Sequence, residues 1–209
     1  MCFSSTASFL SSAVLTAIGS WLIWKYKGTK KLLLASIPLF FGLQQFSEGM
    51  VWLDVTSNID SKRLLFFKNI FLFFAYIFWP IWVPLSLRVL ETLETRKKIL
   101  NGFVILGFLL GINALFYVFD SPLKSHRFSI DYLVTIKVFG SWFLYCIFYI
   151  TTTVVSFFIS SKKLMGLFGI FVGLLAIITY SFDKSIGASL WCFFSAIASI
   201  SLVFLIKNK

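Results

Sequence analysis

The chain has 209 residues, of which 59% are apolar and 13% are charged, and its formal net charge is +11. Soluble domains carry about 25% charged residues, so this composition excludes a disordered chain, a disulfide scaffold and an ordinary cytosolic enzyme. It predicts an all-α, polytopic membrane protein, with a single transmembrane domain over residues 1–209 and little mass outside the bilayer.

Seven apolar runs are long enough to cross a bilayer, since a membrane helix needs about 20 mostly apolar residues. The runs are continuous, whereas the strands of a barrel alternate over about 10 residues, so helices are favoured. In chain order the predicted spans are Ser5–Trp24, Leu32–Leu53, Leu65–Leu87, Ile99–Phe119, Leu133–Ile159, Leu164–Phe182 and Ile186–Ile206. Short connections predict antiparallel neighbours in a seven-helix bundle.

The basic residues of the connections predict the orientation of this bundle. Twelve Lys and Arg residues fall on one side of the predicted membrane and seven on the other. The richer side holds Lys25–Lys31, Arg88–Lys98, Lys162–Lys163 and the C-terminal tail. The positive-inside rule places that side in the cytosol, so the N-terminus is expected outside and the C-terminus inside.

Glu48 is the one clear ionisable residue inside a predicted span. Gln44 and Gln45 precede it by four and three residues, and Trp52 follows it by four, so all four share one broad helix face. A charged group at mid-membrane costs about 2.5–3.5 kcal/mol, which favours a face turned into the bundle or a water-filled cavity. Two interpretations stay open: an interfacial carboxyl that snorkels or pairs structurally, and a buried acid that carries a proton or binds a cationic or hydroxylated group.

Other polar residues fall at the depth of Glu48 when the spans are aligned. Ser8 lies in the outer half of the first span, and Trp191 and Cys192 lie in the outer half of the seventh. We therefore predict an outward-facing polar pocket, with a carboxyl at its centre, amides that orient a ligand and indole walls. Its predicted residues are Glu48, Gln44, Gln45, Trp52, Trp191, Cys192 and Ser8. Close helix packing explains the serines equally well.

Two further features of the spans allow more than one interpretation. Lys137 begins the fifth predicted span, where it either pairs with Glu48 or snorkels to the interface. Pro80 and Pro84 should kink the third span and free carbonyls at Trp79 or Tyr76, which would then need neighbours or water. Such a kink is either a gate or only a change of shape.

Several kinds of chemistry are absent from the sequence. His126 is the only histidine, which excludes a zinc site with three histidine ligands. The seventh predicted span has no lysine that could hold a retinal, and no Gly-rich phosphate loop or nucleic-acid module occurs. We therefore predict no metal, no cofactor and no nucleic-acid partner. The predicted partners are the lipid bilayer and a lipid or small amphiphile, with the oligomeric state left open.

Three motifs carry a resemblance. The chain opens Met1-Cys2-Phe3-Ser4-Ser5-Thr6-Ala7-Ser8-Phe9, continues with Gly42-x-Gln44-Gln45-x-x-Glu48-Gly49-x-x-Trp52, and ends with Gly187-x-x-x-Trp191-Cys192-Phe193-Phe194-Ser195-Ala196. This pattern resembles a family of uncharacterised bacterial multi-pass membrane proteins that open M-C-F-S-x-x-A-S-F, although Ser195 stands where alanine is expected. The resemblance implies a bacterial inner-membrane protein and supplies no activity.

Three functions agree with the sequence. The leading hypothesis is a non-enzymatic protein whose pocket binds or moves a small amphiphile, a lipid headgroup or a proton. The first alternative is an intramembrane, lipid-acting enzyme with Cys2 or Cys192 as nucleophile and Glu48 as acid or base. The second is an accessory or assembly subunit without a ligand, in which the polar groups only hold helices together.

Overall fold

The computed structural model describes residues 4–57, 61–119, 121–126, 129–182 and 187–207, and these are mostly helical. Within these residues, two stretches are π-helical, Phe73–Phe78 and Thr151–Val155, and each joins two consecutive α-helices. The helices are α1 (Ser5–Tyr26), α2 (Leu32–Ala35), α3 (Ile37–Ser57), α4 (Ser61–Leu72), α5 (Trp79–Leu90), α6 (Glu94–Val118), α7 (Trp142–Ile150), α8 (Ser156–Ile159), α9 (Lys163–Phe182), α10 (Gly187–Ser199) and α11 (Leu202–Lys207).

Within the described residues, four helices are long and apolar enough to cross a membrane. They are Ser5–Tyr26, Lys62–Leu90, Glu94–Val118 and Trp142–Ile159. Lys163–Thr179 and Leu190–Ser199 are shorter apolar helices. Helix α3 is not among the four, and it carries the two amides and the carboxyl that lower its mean hydropathy. The fold is therefore that of a helical membrane protein, while the count of seven spans and the orientation of the termini stay predictions.

The segment before α7 differs from the sequence prediction. The fifth predicted span begins at Leu133, but the helix begins at Trp142. Phe139 and Gly140 have positive φ angles of 49° and 79°, so the chain turns there. The side chain of Ser141 then caps α7 by accepting a hydrogen bond from the backbone N–H of Leu144. The prediction of a helix over 133–141 is wrong because a turn and an N-cap interrupt the apolar run.

A β-hairpin precedes this turn, where the sequence predicts only a polar outer loop. Strands β1 (Leu123–His126) and β2 (Ser129–Tyr132) pair antiparallel. Ile130 is buried, and the ring of Tyr132 stacks on that of Phe71 with 4.7 Å between ring centroids. The hairpin therefore packs its apolar side on α4 and closes one end of the bundle.

Small residues bring α1 and α3 into close contact. A side chain at Gly19 would meet the backbone of Leu39, and one at Gly42 would meet Thr16. The hydroxyl of Ser12 donates a hydrogen bond of 2.8 Å to the carbonyl of Gly42. Close approach through small residues and hydroxyl groups is typical of helix pairs in membranes, where lipid supplies no hydrophobic drive for association. This packing fixes how α3 faces the interior.

The Glu91 carboxylate joins two connections at the end of the bundle opposite the hairpin. It accepts hydrogen bonds from the N–H groups of Thr92 (2.8 Å) and Leu93 (3.0 Å), and from the N–H (2.6 Å) and hydroxyl (2.8 Å) of Ser161. Burial alone would raise its pKa, but the bonds from Ser161, Leu93 and Thr92 lower the pKa from 4.5 to about 2. Glu91 therefore ties the α5–α6 connection to the α8–α9 connection as an ionised group.

Candidate functional site

Helix α3 presents a polar row to the interior of the bundle. The side chains of Gln44, Gln45 and Glu48 are each fully buried, and Trp52, one turn beyond Glu48, is 4% exposed. The Glu48 carboxyl is thus buried in the protein and does not reach the surface as an interfacial group would. A buried carboxyl with two buried amides on adjacent turns is a costly arrangement unless other groups satisfy them.

Gln44 connects this row to α5 and α10. Its Oε1 accepts a hydrogen bond of 2.8 Å from the indole N–H of Trp79, and Phe41 stacks on the Trp79 ring with centroids 4.0 Å apart. The thiol of Cys192 lies near the Gln44 amide and interacts electrostatically with the Glu48 carboxyl. Residues from the second, third and seventh predicted spans therefore meet at one place.

Several buried polar atoms of this region have no hydrogen-bond partner within the described part of the chain. They are Ser8 Oγ, Gln44 Nε2, Gln45 Nε2 and Oε1, Trp52 Nε1 and Trp191 Nε1. Most buried polar groups in native proteins find a partner in protein or ordered water. Most of these atoms are N–H or O–H donors, so a ligand oxygen or water would satisfy them.

The contacts of α1 place Ser8 at the level of Glu48. Ser12 bonds Gly42, and the ring of Phe9 lies against Gly49, so the two helices run antiparallel past each other. Ser8, one turn before Ser12, therefore lies beside the turn of α3 that carries Glu48. It is fully buried. The depth predicted for Ser8 from the sequence agrees with these contacts.

A cavity of about 50 Å³ lies beside the polar row, toward the N-terminal half of α3. Its lining includes Trp191 and Cys192 from the predicted site, but it does not include the other five predicted residues. Those five form a compact buried cluster next to the cavity, and the two groups meet at Cys192. The cavity thus lies on the side of Glu48 away from the hairpin. The outward-facing pocket predicted from the sequence would lie on the hairpin side, which is the predicted outer side.

Sequence reasoning missed the aromatic residues that line this cavity. They are Phe41, Trp79, Tyr149, Phe157 and Phe168, and Trp191 completes the set. The only signal in the sequence was the Trp79-Pro80 pair, since a proline marks a local break in the helix. Thr153 of the second π-helical stretch lines the cavity, as does Trp79, which directly follows the first, and such stretches frequently occur at functional sites.

Pro80 affects one wall of the cavity because it leaves a backbone carbonyl without its usual N–H donor, and a tyrosine of that wall bonds the carbonyl instead. In the π-helical register, Trp79 N–H bonds to the carbonyl of Phe74, so the next position would bond to Ala75. Proline has no N–H, and the hydroxyl of Tyr149 donates to the Ala75 carbonyl instead, at 2.5 Å. The Ala75 carbonyl is therefore freed from its backbone donor, a position that the sequence prediction of freed carbonyls at Trp79 or Tyr76 did not include.

The remaining candidates do not join the site. Lys137 is exposed, and its carbonyl accepts a hydrogen bond from the Asn113 side chain. Cys2 lies outside the described residues, as does the side chain of His126. No three His, Cys, Asp or Glu side chains of the described chain come together as a metal site.

The fold and the site together define a helical membrane protein with a buried carboxyl–amide cluster and an adjoining aromatic cavity. The whole chain, residues 1–209, matches a family of unknown function, DUF6629, and the protein belongs to that family. This match confirms the resemblance to an uncharacterised family. No curated protein and no solved structure matches the chain, so its function is argued from the site itself.

Proposed function

We propose that the protein is a seven-span, multi-pass protein of the bacterial inner membrane that binds a small amphiphile or lipid headgroup inside its helical bundle. The N-terminus lies outside and the C-terminus lies in the cytosol, following the distribution of Lys and Arg. Glu48 is the charge centre of the site, Gln44 and Gln45 orient the ligand, and Trp191 and Cys192 border the cavity that receives it.

One observation carries this proposal: buried donors without partners surround a buried carboxyl beside a cavity. Each unsatisfied buried group costs about 1–3 kcal/mol, so such a cluster is retained only if another molecule satisfies it. A subunit whose polar groups served only as helix contacts would pair those groups with one another, as Ser12 and Gly42 do. The cavity offers the space that a ligand needs.

The test is to identify what accompanies the protein. The full chain would be purified in nanodiscs, and bound small molecules and lipids would be quantified by mass spectrometry. We expect one molecular species to be enriched with the native chain and to fall at least about tenfold with Glu48→Gln, because a bond to a charged group contributes about 1.5–3 kcal/mol. Glu94→Gln, at an exposed carboxyl on α6, is the matched control and should leave the amount unchanged.

Folding must be separated from binding in this test. Thermal unfolding of each variant would show whether the bundle is intact. Gln45→Leu provides a second probe of the same cluster, since it removes two unpartnered amide atoms and keeps a side chain of similar size. If folded Glu48→Gln and Gln45→Leu variants retain the same bound molecules as the native chain, the site is not a ligand site and the assembly-subunit hypothesis leads.

The position of Cys192 supports a second candidate function, a lipid-acting enzyme. Its thiol lines the cavity and interacts electrostatically with Glu48, and a thiol nucleophile needs a nearby base of this kind. Chemical turnover of the bound lipid by the native chain, lost in Cys192→Ser with binding retained, would favour the enzyme. Equal recovery of unaltered lipid from both proteins would favour a binding protein.

A further inference from the structure

The walls of the cavity limit the chemistry of the group that it can hold. Six aromatic rings line it, those of Phe41, Trp79, Tyr149, Phe157, Phe168 and Trp191. The other lining side chains are aliphatic, hydroxyl or thiol groups, and none of the described lining residues is charged. No lysine or arginine is available there to bind a phosphate or carboxylate, so an anionic group would enter without a counter-charge.

The rings pack against one another at the angles that aromatic side chains prefer. Tyr149 meets Trp191 edge-on at 5.4 Å between centroids, and Phe157 meets Phe168 edge-on at 5.0 Å. Trp79 is held by its bond to Gln44 and its stack on Phe41. The face of an aromatic ring carries a negative electrostatic potential, which attracts cations.

The nearest ionisable carboxyl adds to this preference. The Glu48 carboxyl interacts electrostatically with the Cys192 thiol, and that thiol lines the cavity. A cation in the cavity would therefore be attracted by the same carboxyl. The low dielectric of the bundle interior strengthens such an attraction.

We propose that the cavity binds the methylated ammonium group of an organic cation, with the aromatic rings as its walls and Glu48 as the counter-charge. This inference rests on the proposed binding function and specifies one group of its ligand, while an oxygen elsewhere on the same molecule would satisfy the buried donors. The cavity of about 50 Å³ is several times the roughly 10–15 Å³ that a single water needs, so it has room for a group larger than water. Aromatic cages recognise quaternary ammonium groups on the same physical basis.

The experiment compares a cation with a neutral molecule of the same shape. The full chain in phosphatidylglycerol nanodiscs would be titrated calorimetrically with choline and with 3,3-dimethylbutan-1-ol, in which carbon replaces the charged nitrogen. We expect choline to bind at least about tenfold more tightly, since cation–π attraction contributes about 2 kcal/mol in a desolvated site. Equal affinity, or tighter binding of the neutral alcohol, would overturn the inference.

Three variants assign the effect to the cavity. Glu48→Gln and Trp191→Leu should each reduce the preference for choline over the alcohol by about threefold or more. Trp24→Leu is the matched control, because Trp24 is 77% exposed near the end of α1. Unfolding temperatures would confirm that the variants fold. An unchanged preference in both folded cavity variants would exclude this cavity as the site of the cation.

A second arm distinguishes a soluble cation from a lipid headgroup. If the ligand is soluble, choline raises the unfolding temperature in phosphatidylglycerol nanodiscs and phosphatidylcholine in the disc adds nothing. If it is a headgroup, phosphatidylcholine raises the unfolding temperature and competes with choline. Either result supports the methylated ammonium. If neither probe acts while mass spectrometry finds another bound molecule, this inference is wrong and the binding function stands; if nothing is bound in any experiment, both fail.

Discussion

Gln44 and Gln45 are neighbours on α3 with equal burial, but within the described chain only Gln44 has a hydrogen bond to its side-chain oxygen. Gln44 Oε1 accepts the Trp79 indole N–H at 2.8 Å, whereas both amide atoms of Gln45 lack a partner among the described residues. A hydrogen bond between protein groups stabilises the fold, and an unpartnered buried amide destabilises it. The two residues therefore separate a role in stability from a role in binding.

We predict that Gln45→Leu raises the free energy of unfolding of the ligand-free protein by about 1–2 kcal/mol, because it removes two unsatisfied atoms. Gln44→Leu should lower it by about 1–3 kcal/mol, because the Trp79 N–H is left without an acceptor. Chemical unfolding of the two variants in detergent would measure both changes. A loss of stability in Gln45→Leu would mean that water or protein already satisfies the amide and that no ligand is needed there.

Glu91 has a structural role that depends on its charge. The folded-state pKa of about 2 lies below the ordinary value of 4.5. A carboxyl with a lowered pKa adds stability that is fully present above pH 4.5 and is lost as the pH falls through about 2. The Glu91 carboxylate is the acceptor in all four of its hydrogen bonds. A protonated carboxyl or an amide has a donor on one side of the group and cannot accept all four.

We predict that Glu91→Gln lowers the free energy of unfolding at neutral pH by about 1–3 kcal/mol, since it loses a charged acceptor. The difference from the native chain should narrow as the pH falls from 4.5 toward 2, because the native carboxylate is then protonated. Thermal unfolding between pH 2 and pH 7 measures this trend. Glu94→Gln on α6, an exposed carboxyl, is the control, and a pH-independent gap between Glu91→Gln and the native chain would contradict the charge argument.

The joint between α4 and α5 is a π-helical stretch because Pro80 interrupts the hydrogen-bond ladder. Tyr149 crosses from α7 to supply the missing donor to Ala75. Pro84 has a similar effect one turn later, because it has no N–H to bond the Pro80 carbonyl. That carbonyl lies so close to α6 that a side chain at Gly107 would collide with it. Breaks in one helix are thus compensated by close contacts from two others.

We predict that Tyr149→Phe lowers the free energy of unfolding by about 1–2 kcal/mol in the native chain and changes it very little in a Pro80→Ala background. With alanine at position 80, either helical register gives the Ala75 carbonyl a backbone donor, from Trp79 or from residue 80 itself. A double-mutant cycle on unfolding free energies measures the coupling. Tyr145→Phe is the matched control, because the buried Tyr145 hydroxyl has no partner in the described chain; additive effects of Tyr149→Phe and Pro80→Ala would refute the compensation.

Apolarity located the helices but not the interruptions between them. Six of the seven predicted spans coincide with helices from near their start, since continuous apolar runs leave few alternatives in a membrane. The first part of the fifth is a turn, and its signals were present in Gly140 and in the N-cap Ser141. The breaks at Ser36 and at residues 200–201 had no comparable signal, because serine and isoleucine continue a membrane helix as readily as they end one.

The candidate site was predictable only along single helices. The three-and-four spacing on α3 identified Gln44, Gln45 and Glu48 as one inward face, and all three are buried. The cavity was not predictable, because its lining comes from five separate helical segments whose rotation depends on mutual packing. Trp79 and Tyr149 look like ordinary lipid-facing aromatics until those helices are placed together.

The orientation of the whole molecule decides which compartment supplies the ligand. The cavity lies in the half of the bundle that contains the start of α3 and of α9, and the Glu91 connections close that same half. These connections belong to the side that carries the excess of Lys and Arg. If the orientation follows the positive-inside rule, we expect a ligand to reach the cavity from the cytosolic half of the membrane, with the hairpin at the outer end.

We predict that a cysteine at Ser125, in the hairpin, reacts with a membrane-impermeant maleimide added to intact spheroplasts, and that a cysteine at Lys27 reacts only after lysis. Both positions are exposed, so orientation alone decides their labelling. Cys2, Cys146 and Cys192 would first be replaced by serine to remove the background. The reversed labelling pattern would show the opposite orientation, with the basic connections outside the cytosol, against the positive-inside rule. The cavity would then lie in the outer half of the membrane, and its ligand would come from outside.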